Sequence, residues 1–143
     1  MAVKVWLGKA KSSVSSQATG DDKTREVALR NNNPGNIRSG KNSFKTFGTM
    51  KEGFAGLTNQ LDLYKSGRSR NTTGRETLLE MMKIYAPSSD NNNPTAYAKT
   101  IAKELGISIN DPISGISTKK WAAAISKVES PQAYKELKRL GLV

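Results

Sequence analysis

The chain has neither cysteine nor histidine among its 143 residues. Their absence excludes disulfide bonds, thiol nucleophiles, histidine general bases and the ordinary zinc sites. Any acid–base chemistry must therefore come from carboxylates, tyrosine or lysine. We expect no metal and no cofactor.

Acidic and apolar residues are also scarce. Twelve Asp and Glu stand against 23 Lys and Arg, which gives a net charge of +11, and hydrophobic residues make up 36% of the chain. This positive charge favours an anionic partner. Nucleic acid and anionic cell-wall polymers are both partners of that kind. Because no stretch approaches the roughly 18 apolar residues that a membrane helix needs, we expect no membrane span.

Part of the apolar deficit lies at the start of the chain. Residues 1–23 contain four Ser and four Lys and show little apolar periodicity. We interpret them as a flexible basic arm. The length of the remainder suits a single domain over residues 24–143.

Apolar spacing and capping residues predict that this domain is mainly α with one small β-hairpin. Short sequences flanking Ser39–Ser43 predict the hairpin. Thr49 and Glu52 form a capping box, and the helix that follows places four apolar residues on one stripe. Further helices are predicted at 24–29, after a second box at Thr73–Glu76, after Asn93, over 117–129, and from Ser130 with Leu140 facing inward.

An asparagine-rich loop, Asn31–Asn36, lies between Arg30 and Arg38. Asn side chains compete with the backbone for hydrogen bonds and tolerate left-handed conformations, while Pro and Gly fix a turn. A loop of this composition favours a binding surface. The two arginines fit either substrate contacts or plain surface charges.

Most carboxylates have a structural explanation, but Glu129 is a candidate general acid. It ends a helix whose apolar stripe includes Ile125, so it should lie at the edge of the core. Desolvation and the helix dipole both favour the protonated form of a carboxyl group there, as protonation of a glycosidic oxygen requires. The alternative is a surface Glu at a helix–helix corner, and Glu26 and Glu52 remain open as the acid.

Two tyrosines, Tyr85 and Tyr97, flank a second asparagine-rich loop at residues 88–93. Their rings fit a hydrophobic core, with hydroxyl groups that reach the surface. The other interpretation is that these hydroxyl groups orient a catalytic carboxyl group or a sugar.

Three segments together resemble one group of proteins. The sequence NNNPGNIR at residues 31–38 is similar to the signature of lysozyme-like domains in bacteriophage virion proteins and lysins. The F-x-x-F step at 44–47 and MKEGFAGL at 50–57 resemble the aromatic hairpin and helix of that group. A third segment, YAP at 85–87 followed by DNN and Tyr97, is similar to its next motif. Order and spacing hold across residues 29–105.

The chain also resembles flagellar-type glucosaminidases and lytic transglycosylases. In those families, a catalytic Glu followed by Ser or Asn ends a helix that precedes the hairpin. Here the similar sequence, WAAAISKVES at 121–130, comes near the end of the chain, and Pro131 stands where those families usually have Gly. The resemblance therefore implies a circularly permuted lysozyme-like arrangement with Glu129 as the acid.

This resemblance implies a phage-associated enzyme that cleaves the β-1,4 bond between N-acetylmuramic acid and N-acetylglucosamine in peptidoglycan. A lone Glu fits lytic transglycosylase chemistry, whereas Asp90 or Glu26 facing Glu129 would allow a muramidase that uses water. The implied catalytic residues are Glu129 and Tyr97. Candidate substrate-binding residues are Asn32, Asn33, Asn36, Arg38, Tyr85 and Ser130.

The implied location is the phage virion, in the tail or baseplate, with action on the cell wall in the host periplasm. The arm would then contact other virion or tail proteins. One alternative is a non-catalytic virion protein that retains the lysozyme-like scaffold. A basic nucleic-acid-binding domain is a third hypothesis, but no base-reading motif or aromatic platform supports it, and nucleic acid is not the expected partner.

Overall fold

The computed structural model describes residues 26–40, 43–85 and 93–143. The predicted arm, Asp90 and most of the second asparagine-rich loop lie outside these ranges. Within them the chain is mainly helical with one two-stranded hairpin, which confirms the predicted fold class. The elements in order are α1 (Val27–Arg30), β1 (Arg38–Gly40), β2 (Ser43–Phe44), α2 (Met50–Ser66), α3 (Leu78–Tyr85), α4 (Pro94–Leu105), a 3-10 helix (Ile113–Gly115), α5 (Thr118–Glu129) and α6 (Pro131–Arg139).

The hairpin is antiparallel and short. Arg38 lies opposite Phe44, and Gly40 lies opposite Ser43. The backbone N–H of Lys45 also donates to the carbonyl oxygen of Ile37 at 2.8 Å, which extends the pairing beyond the strands.

Helix α2 begins and ends where the sequence predicts. The hydroxyl group of Thr49 accepts from the backbone N–H of Glu52 at 3.1 Å, and Gly67 ends the helix with φ of 74°. The predicted stripe, Phe54, Leu57, Leu61 and Tyr64, is buried. α2 packs against α5, and α4 packs against both α3 and α5.

Helix α3 begins one turn later than predicted. The hydroxyl group of Thr77 accepts from the backbone N–H of Glu80 at 3.1 Å, and the Glu80 carboxylate accepts from the backbone N–H of Thr77 at 2.9 Å. The Thr73–Glu76 box was wrong as a helix start, because the Thr73 hydroxyl group accepts from the backbone N–H of Arg75, only two residues later, and the helix begins at Leu78.

One residue joins the last two helices. Ser130 ends α5 and also caps α6, where its hydroxyl group accepts from the backbone N–H of Ala133 at 3.0 Å. Pro131 fits the first position of α6, because the N–H it lacks would have no partner inside the helix. The inward orientation predicted for Leu140 is wrong: it follows the end of α6 and is 43% exposed.

No helix among the described residues is long and apolar enough to cross a membrane.

Candidate active site

Most of the first asparagine-rich loop is buried, so it does not form the exposed binding surface that its composition predicts. Residues 33–37 are all buried, and the Asn33 side chain is fully enclosed. Asn33 Nδ2 donates to the carbonyl oxygens of Ile37 and Lys45, both at 2.9 Å, and its Oδ1 accepts from the Ile37 N–H. We therefore reassign Asn33 from substrate contact to internal support of the loop.

Close contact with α2 fixes the position of this loop. A Cβ atom on Gly53 would lie 1.7 Å from the carbonyl oxygen of Asn32, so only glycine allows the two backbones to meet. Asn32 has a positive φ of 52°, and its Nδ2 donates to the carbonyl oxygen of Phe47 at 3.0 Å. Asn32 is partly buried, and its amide nitrogen holds the loop to the segment after the hairpin.

Asn36 directs its side chain towards the end of α5. It is fully buried and has φ of 50°, a conformation that Asn adopts more readily than most residues. Its Nδ2 donates to Glu129 Oε1 at 2.9 Å. Its Oδ1 accepts no hydrogen bond from the part of the chain that the structure describes. Asn36 thus positions a carboxyl group instead of facing solvent.

Glu129 is the meeting point of three separate segments. Its side chain is only 2% exposed, so it lies deeper than the core edge expected from its spacing. Oε1 accepts from Asn36, 93 residues away in sequence, and Oε2 accepts from the Tyr97 hydroxyl group at 3.0 Å. The asparagine-rich loop, α4 and the end of α5 therefore converge on one carboxyl group.

Tyr97 keeps its proton in this environment. Burial raises the pKa of Tyr97 well above its ordinary value, and the negative charge of Glu129 raises it further. The Tyr97 hydroxyl group is thus a permanent donor to Glu129.

Tyr85 lies in the same buried region. Burial is the largest cause that raises the pKa of Tyr85, followed by interactions with Tyr64 and Glu129. Its ring packs edge-on against Tyr64, with centroids 6.1 Å apart. The Tyr85 hydroxyl group is buried and has no hydrogen-bond partner among the described residues. Substrate contact by Tyr85, as predicted, would need access that its complete burial does not provide.

Ser130 and Glu26 form a second polar pair beside Glu129. The Ser130 hydroxyl group donates to Glu26 Oε2 at 2.5 Å while its oxygen accepts from the Ala133 N–H. Ser130 is fully buried and Glu26 is 8% exposed. Both hydrogen-bonding functions of the Ser130 hydroxyl group are therefore used internally, and we reassign Ser130 from substrate contact to support of the helix junction.

Two further residues were candidates from the sequence. Arg38 is partly buried, with its guanidinium group 5.5 Å from the centroid of the Phe44 ring. Glu52, one of the open alternatives for the acid, is exposed in the capping box of α2. The described residues contain no group of three or more acidic side chains that could hold a metal ion.

The pairing of Glu26 with Ser130 is the feature that sequence reasoning missed. Glu26 was one of the alternatives left open for the acid, which was the available signal. Nothing in the local pattern around Glu26 indicates a partner 104 residues away.

No protein-family model matches the chain, and no match is found among curated proteins. The geometry of the site and the motifs in the sequence are therefore the features that indicate a function.

Proposed function

We propose that this protein cleaves the glycan strands of bacterial peptidoglycan, with Glu129 as the general acid. One observation carries the proposal. Asn36 belongs to the first motif of the lysozyme-like resemblance, Tyr97 to the third, and Glu129 to the helix that resembles the catalytic one. These residues are far apart in sequence, yet both side-chain oxygens of Glu129 accept hydrogen bonds from the other two.

The burial of Glu129 is a second reason to expect a function. Removing a carboxyl group from water costs several kcal/mol unless its hydrogen bonds are replaced, and an apolar side chain at the same place would often be equally stable or more so. Buried, specifically bonded carboxyl groups accordingly concentrate at functional sites.

In the proposed reaction, Glu129 protonates the oxygen of the β-1,4 bond that leaves N-acetylmuramic acid. Asn36 and Tyr97 each hold one oxygen of Glu129 and so fix the orientation of the carboxyl group. Such positioned proton transfer contributes about a hundredfold to ten-thousandfold to a rate. The net charge of +11 favours association with the anionic cell wall.

Under this proposal, the protein is a component of the phage virion, in the tail or baseplate, and acts on the cell wall in the host periplasm. Residues 1–23 would contact neighbouring virion proteins. The basic composition of the chain and its motif resemblance to virion proteins and lysins support this location.

A second candidate function is a non-catalytic virion protein. It is favoured by the 2% exposure of Glu129, since a general acid has to reach its substrate. In this case the carboxyl group only joins the asparagine-rich loop, α4 and α5. Replacement of Glu129 would then change stability and nothing else.

Clearing of a peptidoglycan suspension by the wild type and by Glu129→Gln tests the proposal. The amide oxygen of the variant can still accept from Asn36, so we expect the variant to fold and to lose clearing. Glu52→Gln is the matched control, because Glu52 is exposed and belongs to the capping box of α2. Absence of clearing by a folded wild type would favour the second candidate.

A further inference from the structure

A second buried carboxyl group, that of Glu26, is hydrogen-bonded to the residue that follows the proposed acid. Ser130 follows Glu129 directly in the chain, and its hydroxyl group donates to Glu26. One serine therefore holds Glu26 next to the residue that the proposed function makes the acid. Protonation of the leaving oxygen by Glu129 does not by itself require Glu26.

The two carboxyl groups differ in how their oxygens are used. Glu129 accepts a hydrogen bond at each oxygen. Glu26 accepts one at Oε2, and its Oε1 accepts none from the residues that the structure describes. Glu26 is also the more exposed of the two, at 8% against 2%. Two carboxyl groups in unlike environments suit a division into acid and base.

Ser130 fixes the position of the Glu26 carboxyl group. The Ser130 oxygen is already the acceptor for the backbone N–H of Ala133, so its proton is directed to Glu26. A carboxyl group held at one oxygen, with no hydrogen bond from the described residues at the other, has the geometry that a general base requires.

We propose that Glu26 is the general base of the site, so that water is the attacking group and cleavage is hydrolysis. The inference rests on the proposed function. Glu26 Oε1 takes a proton from water as the water oxygen bonds to the anomeric carbon. The bond from that carbon to the leaving oxygen breaks, and the leaving oxygen takes the proton of Glu129. Proton exchange with solvent then restores both carboxyl groups, and the product has a reducing end instead of an anhydro sugar.

Glu26→Gln tests this assignment. The amide oxygen can still accept from Ser130, but the side chain can no longer take a proton at neutral pH. Purified peptidoglycan is digested, soluble fragments are identified by mass, and folding is checked by circular dichroism. We expect reducing ends from the wild type, a loss of about a hundredfold or more in Glu26→Gln, and an unchanged rate in the exposed control Glu52→Gln.

Glu26→Asp separates a base from a purely structural residue. It keeps a carboxylate, one methylene shorter, and we expect it to retain part of the rate that Glu26→Gln loses. Equal losses in the two variants, or anhydro products from the wild type, would overturn the role of Glu26. If wild type cleaves, Glu129→Gln does not, and Glu26→Gln cleaves normally, only this inference fails. A folded wild type without cleavage contradicts the proposed function itself.

Discussion

Tyr97→Phe tests the geometry around Glu129 without any assumption about catalysis. The change removes one oxygen and leaves the buried ring in place, so it deletes the 3.0 Å hydrogen bond to Glu129 Oε2. A hydrogen bond to a charged group contributes about 1.5–3 kcal/mol, and one between neutral groups about 0.5–1.5 kcal/mol. We therefore expect the free energy of unfolding to fall by about 0.5–3 kcal/mol.

The assay is urea unfolding followed by circular dichroism, analysed as a double-mutant cycle with Glu129→Met. Methionine removes both acceptors while keeping an unbranched side chain of similar length. Asn36 loses its partner in the single and in the double variant alike, so this effect cancels. The remaining coupling free energy belongs to the Tyr97–Glu129 pair.

Tyr134→Phe is the matched control. Tyr134 is only partly buried, and its ring lies near the ammonium groups of Lys127 and Lys138, which a phenylalanine ring would also attract. We expect this change to alter the free energy of unfolding by less than about 0.5 kcal/mol. A coupling free energy for Tyr97 and Glu129 below about 0.5 kcal/mol would refute the hydrogen bond on which the site is built.

Three other changes test the loop and the buried tyrosines. Gly53→Ala should destabilise the fold by about 3 kcal/mol or more, because its Cβ would overlap a carbonyl oxygen of the asparagine-rich loop, whereas Gly115→Ala has open space and should have little effect on thermal unfolding. Asn33→Ala should lower the unfolding free energy in urea by about 3 kcal/mol, since it leaves buried backbone groups unpaired. The pKa values of Tyr85 and Tyr97 are raised in the folded protein. The stability that these protonated side chains contribute is therefore fully present below the pKa of an unfolded tyrosine, about 10, and is lost as the pH rises through the folded pKa. In a near-ultraviolet titration of the folded protein, at least two of the four tyrosines should accordingly ionise at a higher pH than free tyrosine.

Helix ends were predictable where the signal is local. Asn93 and Ser130 each cap a helix through a hydrogen bond to a backbone N–H three residues later, as their positions before proline indicate. The start of α3 was not predictable, because Thr73–Glu76 and Thr77–Glu80 are consecutive boxes of the same pattern. Tertiary pairing decides between them: the N–H of Leu78 donates to the carbonyl oxygen of Asp111.

The pairing of Glu129 with Tyr97 was also within reach of sequence reasoning. Glu129 stood out because it ends a helix beside an apolar stripe, and Tyr97 because it lies in a recognisable motif. The environment of Asn33 was not predictable, since composition alone indicates an exposed loop. The close contact of the loop with Gly53 of α2 explains its burial. The Glu26–Ser130 pair joins the two ends of the described chain and has no local signature.

The central claim is that Glu129 donates a proton to a glycosidic bond of peptidoglycan. The most direct test is the amount of soluble glycan fragments, identified by mass, that equal concentrations of folded wild type and folded Glu129→Gln release from purified peptidoglycan. The account predicts release by the wild type that falls by about a hundredfold or more in the variant. Equal release by both proteins, or release by neither, would contradict it.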